Sequence, residues 1–212
     1  VNVEVNGSKD ITQYIKATDN VDGDVTPFIE TNKKLDTSRL GTQTIQLNVS
    51  DAAGNQTQKT FEFYVSDTIA PKIQHKKGST VTVDYGSKFS YSDYVGITDN
   101  FDKKVTSIKV DGKVDTKKIG KTTLNITAVD SSGNESKAKL NVEVKDISAP
   151  KLSLSKSSVT ITKGKSFSAK KYLESAIDNK DGNLTSKVKI SSSVNTDKAG
   201  KYTVKYTIAD AA

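Results

Sequence analysis

The chain contains no cysteine, no tryptophan and a single histidine, His75, among its 212 residues. Without thiols there are no disulfides, no zinc–thiolate centres and no cysteine nucleophile. A lone imidazole also removes most histidine-dependent catalysis. Hydrophobic residues reach only 33%, below the ~45 to 50% of an average globular domain, so any core is thin. No run approaches the ~18 to 20 apolar residues of a membrane span, and no basic start precedes an apolar block. Membrane insertion is therefore not expected, and any exporting or anchoring segment is expected outside these residues. Arginine is scarce as well: of 32 basic residues all but Arg39 are lysine. Base readout and phosphate forks favour arginine, so the net charge of +7 does not read as nucleic-acid binding.

What the chain does have is Val, Ile, Thr and Tyr in abundance, which separates it from a disordered polar chain. A folded, β-rich, highly solvated protein of two or three domains is the expectation at this length. Charge is graded along it. Residues 1–71 carry 6 basic and 10 acidic groups, 72–150 carry 14 and 10, and 151–212 carry 12 and 5, giving balances of −4, +4 and +7. A lysine-rich solvated surface accounts for this, and attraction to a polyanion is the rival account.

Self-comparison decides the architecture. Asp19-Asn20-Val21-Asp22-Gly23-Asp24-Val25-Thr26 returns as Asp99-Asn100-Phe101-Asp102-Lys103-Lys104-Val105-Thr106 and as Asp178-Asn179-Lys180-Asp181-Gly182-Asn183-Leu184-Thr185, at steps of 80 and 79 residues. Leu35-Asp36-Thr37 with Gly41 matches Val114-Asp115-Thr116 with Gly120 and Val194-Asn195-Thr196 with Gly200. Asp51-Ala52-Ala53-Gly54-Asn55 matches Asp130-Ser131-Ser132-Gly133-Asn134, and Asp210-Ala211-Ala212 begins the same motif. Asp67-Thr68-Ile69-Ala70-Pro71 matches Asp146-Ile147-Ser148-Ala149-Pro150.

Within each copy the apolar period is two, the signature of a strand with one buried face. Ile45, Leu47 and Val49 align with Leu124, Ile126 and Ala128 and with Val204, Tyr206 and Ile208; Phe61, Phe63 and Val65 align with Leu140, Val142 and Val144. The Gly-Asn segment between those two strands predicts a tight hairpin. An earlier strand is expected over Val81, Val83 and Tyr85, paralleled by Val1, Val3 and Val5 and by Val159 and Ile161. Ile11, Tyr14 and Ile15, like Tyr91, Tyr94 and Val95 and like Ala169, Tyr172 and Leu173, instead fall at helical spacing and predict one helical turn per copy. Pro71 and Pro150 cannot donate to a ladder, so they mark junctions, short and free of Gly or Ser runs. The fold class expected is all-β: tandem immunoglobulin-like β-sandwich modules in an elongated array. Copy one spans 1–70 and lacks its first strand, copy two is complete over 71–149, and copy three spans 150–212 and lacks its last strand. The chain thus reads as an excerpt of a longer protein.

These residues resemble the bacterial immunoglobulin-like repeats of Gram-positive surface proteins and wall-associated hydrolases. That family carries D-N-x-D-G-D-[VI]-T, then V-D-T-S-x-x-G-x-Y-x-V-x-Y-x-A-x-D-x-A-G-N, then a D-T-x-A-P junction. The resemblance covers all three copies, and Thr196 to Asp210 lies close to the consensus. Copies one and two depart from it at Gln43 and Thr122, where copy three has Tyr202, and copy two replaces D-G-D with Asp102-Lys103-Lys104. The resemblance implies the fold and a spacer role between a wall anchor and a distal domain.

Chemistry is sparse. His75 has no counterpart in the other copies and reads as a strand-end residue. No G-x-S-x-G elbow and no glycine-rich phosphate loop occurs, and the recurring aspartates sit where turn chemistry explains them. No catalytic residue, no cofactor site and no metal site is assigned. Asp19, Asp22 and Asp24 are the one group that hard Ca²⁺ would suit; an Asp-Gly turn is the competing account, and because copy two has lysines there, little response of stability to Ca²⁺ is expected. Lys–Asn crosslinks occur in some Gram-positive stalks, but no Lys, Asn and acid set here singles one out. The expected function is a non-catalytic stalk or spacer, extracellular, secreted or attached to the cell wall, monomeric, with neighbouring domains of the same polypeptide as partners. The alternative is a module binding wall glycan or teichoic acid through copy three.

Overall fold

A computed structural model describes residues 1–212. The only helical elements are short 3-10 turns; everything else regular is strand. The chain divides into two compact units. One comprises Val1–Lys76, Val95–Asp111 and Asn125–Ala138, and the other Lys77–Tyr94, Gly112–Leu124 and Lys139–Ala212. Each therefore combines one outer copy with part of copy two, and each contains one junction.

In the first unit, copy one folds around the long hairpin that the Gly-Asn signal predicts. Gly41–Ser50 pairs antiparallel with Gln56–Ser66 through ten registered pairs, from Gly41 opposite Val65 to Ser50 opposite Gln56. Gly54 makes the turn at φ +87°. Asn55 does not share the positive φ; its backbone amide and its side-chain amide both donate to the Asp51 carboxylate, at 2.8 and 2.6 Å. Asn2–Glu4 adds in parallel to Gln56–Ser66, and Glu30–Thr31 adds antiparallel on the other edge. Alternation puts Val3, Val5, Ile45, Leu47, Phe63 and Val65 on one face, where they bury against Leu35 and Ile11. Ile11 arrives on the 3-10 turn Ile11–Gln13, capped by Asp10, whose carboxylate accepts from the Thr12 amide. Tyr14, from the same turn, meets Phe63 edge-on with ring centroids 6.4 Å apart. From copy two, the unit contains Lys72–His75 paired antiparallel with Val95–Thr98, and Ser107–Asp111 paired with residues 125–129. His75 ends its strand opposite Val95 and is half-buried.

The second unit repeats the scheme. Thr80–Asp84 pairs in parallel with 141–145, as Asn2–Glu4 pairs with 64–66 in copy one. Val81, Val83, Leu124, Leu140, Val142 and Val144 are buried. Copy three supplies Lys151–Leu154 against Leu173–Asp178, and Lys189–Ser192 against Val204–Thr207. The helical turns expected near Tyr94 and Tyr172 are present as Tyr91–Asp93 and Ala169–Tyr172.

Copy three departs from expectation at one place. Val159 and Ile161, aligned with a strand in the other copies, form none, and Val159 is exposed. In copy two the equivalent strand is held by 141–145, and the 212 residues contain no counterpart of that partner in copy three. The same cause shortens the strand over Val204–Thr207 to four residues, against ten for Gly41–Ser50 and for Gly120–Val129. Between these segments opens a cleft of about 720 Å³ lined by Phe167, Tyr172, Tyr202, Val204 and Tyr206, among others.

Candidate functional site: the junctions between copies

Three aspartates recur at one end of every copy, and local chemistry fixes them. Asp19 folds its loop by accepting the amides of Val21 and Asp22 through Oδ1, at 2.8 and 3.0 Å. Asp99 does the same for Phe101 and Asp102, and Asp178 for Lys180 and Asp181. The second aspartate then ties that loop to the Gly-Asn hairpin about thirty residues on in copies one and two, and in copy three to the aligned residue Ala211. Asp22 accepts the Ala52 amide at 2.8 Å, Asp102 the Ser131 amide at 2.6 Å, and Asp181 the Ala211 amide at 2.7 Å. Those bonds hold Asp19 and Asp181 below the ordinary carboxylate range, in each case chiefly through a backbone amide donated to the carboxylate. The third aspartate, Asp51 or Asp130, closes the hairpin onto Asn55 or Asn134.

At both junctions an acidic residue from the first copy's edge strand reaches into the second copy. Glu4 accepts the Thr68 hydroxyl at 2.6 Å and the Thr68 amide, and takes the Asn100 side-chain amide at 3.2 Å. Asn6 returns a bond to the Asn100 carbonyl at 2.8 Å. Asp84 stands where Glu4 stood. It accepts the Ile147 amide at 3.0 Å, the Ser148 hydroxyl at 2.5 Å and the Asn179 side chain at 2.9 Å, while Asn179 also donates to the Tyr85 carbonyl. Position for position, the Asn of the incoming copy's D-N dipeptide is thus held by the preceding one. Asn134 adds a bond from its side chain to the Asp67 carbonyl at 3.1 Å.

The repeated carboxylates gather into three groups whose oxygens lie within 4.8 Å of one another: Asp19, Asp22 and Asp51; Asp67, Asp99 and Asp130; and Asp146, Asp178 and Asp181. The last two include the junction aspartate. Burial pushes Asp67 above the usual carboxylate range, and the like charges of Asp99 and Asp130 push it the same way. The Ser132 hydroxyl and Ile69 amide face it and pull the other way, yet neither meets hydrogen-bond geometry. Asp130, which burial alone would raise, is held low by the Asn134 side chain and by the hairpin amides. At the second junction burial likewise raises Asp146, with Asp178 adding to it. There, however, the Lys180 ammonium lies 3.5 Å from Asp146 and 3.5 Å from Asp181. Burial lowers Lys180, but the carboxylates of Asp181 and Asp146 outweigh it and hold the ammonium above its usual range.

Of the three aspartates singled out from the sequence, Asp19 and Asp22 come together, and Asp24 goes elsewhere: it accepts the Thr26 amide at 2.9 Å. Asp51 takes its place in the group. The sequence also gave no role to Phe101, which packs against the core of copy one. Its equivalents show how the position varies: Val21 is 83% exposed, and Lys180 is the ion-paired residue just described.

Among solved structures, cadherin domains 1–4 of protocadherin gamma B7 are similar at 15% identity with a TM-score of 0.30, covering 84% of this chain and 51% of that one. The protocadherin gamma B4 extracellular domain is similar at 16% identity and a TM-score of 0.31, covering 85% of this chain and 32% of that one. The chain therefore spans about half of the first and a third of the second. No curated protein matches. The family model described as "Bacterial surface protein, Ig-like domain" matches residues 3–65, 73–144 and 154–212. Three consecutive matches over most of its length make this chain a member of the bacterial surface protein Ig-like domain family, present in three tandem copies.

Proposed function

We propose that the chain is a non-catalytic spacer, a stalk segment of a secreted or cell-wall-attached protein whose partners are the domains on either side of it. The observation that carries this reading is the repeated junction: Glu4 with Thr68 and Asn100, and Asp84 with Ser148 and Asn179, fix how one copy follows another by the same chemistry. Such bonds set direction and reach, which is what a spacer supplies. The cleft of copy three is lined by no Asp, Glu or His that could serve as general acid or base.

The rival reading, binding of wall glycan or teichoic acid, draws on Lys156, Lys163, Lys198 and Lys201 around that cleft and on the +7 balance of copy three. Against it, of the four aromatic rings lining the cleft, Phe167, Tyr172 and Tyr206 are half-buried and only Tyr202 is exposed as a stacking platform for sugars. Elsewhere Phe28 and Tyr64 are exposed, and the Tyr202 hydroxyl is engaged by the Lys198 carbonyl at 2.8 Å. Co-sedimentation with purified peptidoglycan and with teichoic acid separates the two. The spacer reading expects no retention at about 0.15 M salt, where exposed charge is screened beyond ~8 Å, and a radius of gyration in small-angle scattering well above the ~17 Å of a compact domain of this length. Saturable retention on the wall polymers, lost on substituting the cleft lysines, would replace the spacer with the binding module.

A further inference from the structure

Asp67 is a buried carboxyl group that no hydrogen bond satisfies. It is 6% exposed, and neither carboxylate oxygen receives a hydrogen bond. Asp99 Oδ2 is likewise buried and unbonded. One carboxylate oxygen from each of Asp67, Asp99 and Asp130 lies within 4.8 Å of the other two. Asp67 comes from the end of copy one, while Asp99 and Asp130 come from the loop and the hairpin of copy two. Three carboxylates at this range repel one another, and leaving a buried charge unpaired is costly.

At the second junction Asp146 Oδ1 and Asp178 Oδ2 are buried and unbonded as well, but there the chain supplies part of the countercharge itself. Lys180 inserts an ammonium between Asp146 and Asp181. The first junction has Phe101 at that position, turned onto the core of copy one. An external cation is the remaining counterpart to the internal one. Only oxygen donors are present, which selects a hard ion, and carboxylates that can bind through one or both oxygens suit the flexible, high-coordination sphere of Ca²⁺ better than the strict octahedron of Mg²⁺.

We propose that Asp67, Asp99 and Asp130 form a Ca²⁺ site at the junction of copies one and two, with one ligand from the first copy and two from the second, so that the ion clamps the pair. The site stands whether or not the chain serves as a spacer, because it is read by metal binding alone. Its position differs from the Asp19, Asp22 and Asp24 group that the sequence brought forward.

The test uses the whole 212-residue chain, stripped with chelator and titrated with CaCl₂ by calorimetry, with thermal melts in parallel. The expected result is a saturable site with a dissociation constant on the order of 0.1 to 1 mM, the range of extracellular modules. The melting temperature should rise with Ca²⁺ as mass action requires. Asp67→Asn should weaken binding ~10-fold or more and raise the melting temperature in chelator, because it removes one of three repelling charges. Asp99→Asn, which retains an acceptor for the Phe101 and Asp102 amides, should weaken binding as well. Asp22→Asn, in the group within copy one, should leave it unchanged. Absence of binding at about 10 mM Ca²⁺, tenfold above that range, overturns the proposal in favour of a carboxyl group kept neutral by its proton. Binding that survives Asp67→Asn and Asp99→Asn, or that disappears with Asp22→Asn, overturns it by moving the site elsewhere.

Discussion

Asp84 does at one residue what an inter-copy interface does with many. Its carboxylate accepts from Ser148, Ile147 and Asn179, and these bonds, the Ser148 hydroxyl first, hold it below its ordinary value of 3.8. A carboxylate with a depressed folded pKa contributes its full stabilisation above the unfolded value, and loses it as pH falls through the folded one. Acidification below about 3.8 is therefore expected to loosen the second junction. Asp84→Asn should flatten the acid limb of a stability–pH curve, measured by urea midpoints. An unchanged acid limb would show that Asp84 titrates alike in the folded and unfolded chain. Much of this chemistry was legible in the sequence only as repetition. Asp19, Asp99 and Asp178 read correctly as loop-forming residues, because their bonds go to amides two and three positions on. The partners of Asp22 and Asp102 lie about thirty residues away, and Asp67 meets Asp99 and Asp130 only through the pairing of strands. Local spacing contains no trace of those encounters; the recurrence of an aspartate at both Pro-bearing junctions was the one available signal.

At the scale of elements, periodicity two located the hairpin strands and the i, i+3, i+4 spacing located each helical turn, because both depend on neighbours in sequence. Val159 and Ile161 fail for the complementary reason: alternation makes a segment suitable for a sheet, but a ladder partner makes it a strand. Copy three tests this directly. Val204–Thr207 is bonded on one side to Lys189–Ser192, whereas Gly41–Ser50 is flanked on both. Val204, Tyr206 and Ile208 are half-buried, while Ile45 and Ile126 are at 0% exposure. Amides of the unpaired edge exchange through small openings instead of global unfolding. Hydrogen exchange is accordingly expected to be at least ~10-fold faster over 204–207 than over 44–48. Equal protection in a demonstrated monomer would mean that copy three is closed by some other segment.

For the whole molecule, the unit of sequence and the unit of packing differ. The repeat runs at steps of 80 and 79 residues, yet the first compact unit joins copy one to Val95–Asp111 and Asn125–Ala138 of copy two. Junction contacts account for this: Phe101 lies against the core of copy one, and Glu4, Asn6 and Asp67 all reach residues of the next copy. In an array whose stability is a sum of intrinsic and nearest-neighbour terms, such contacts make damage in one copy felt in the next. Phe63 is the place to apply the damage, since it is fully buried at the centre of copy one. Phe63→Ala removes a large core side chain, at a cost of ~3 to 5 kcal/mol, and leaves the hydrogen-bonding residues of the junction in place. If the packing unit is also the cooperative unit, protection from exchange should fall in Val95–Thr98 of copy two along with the strands of copy one, and stay unchanged in Thr80–Asp84. Loss confined to residues 1–66 would instead make the sequence repeat the cooperative unit, with the junction bonds too weak to couple one fold to the next.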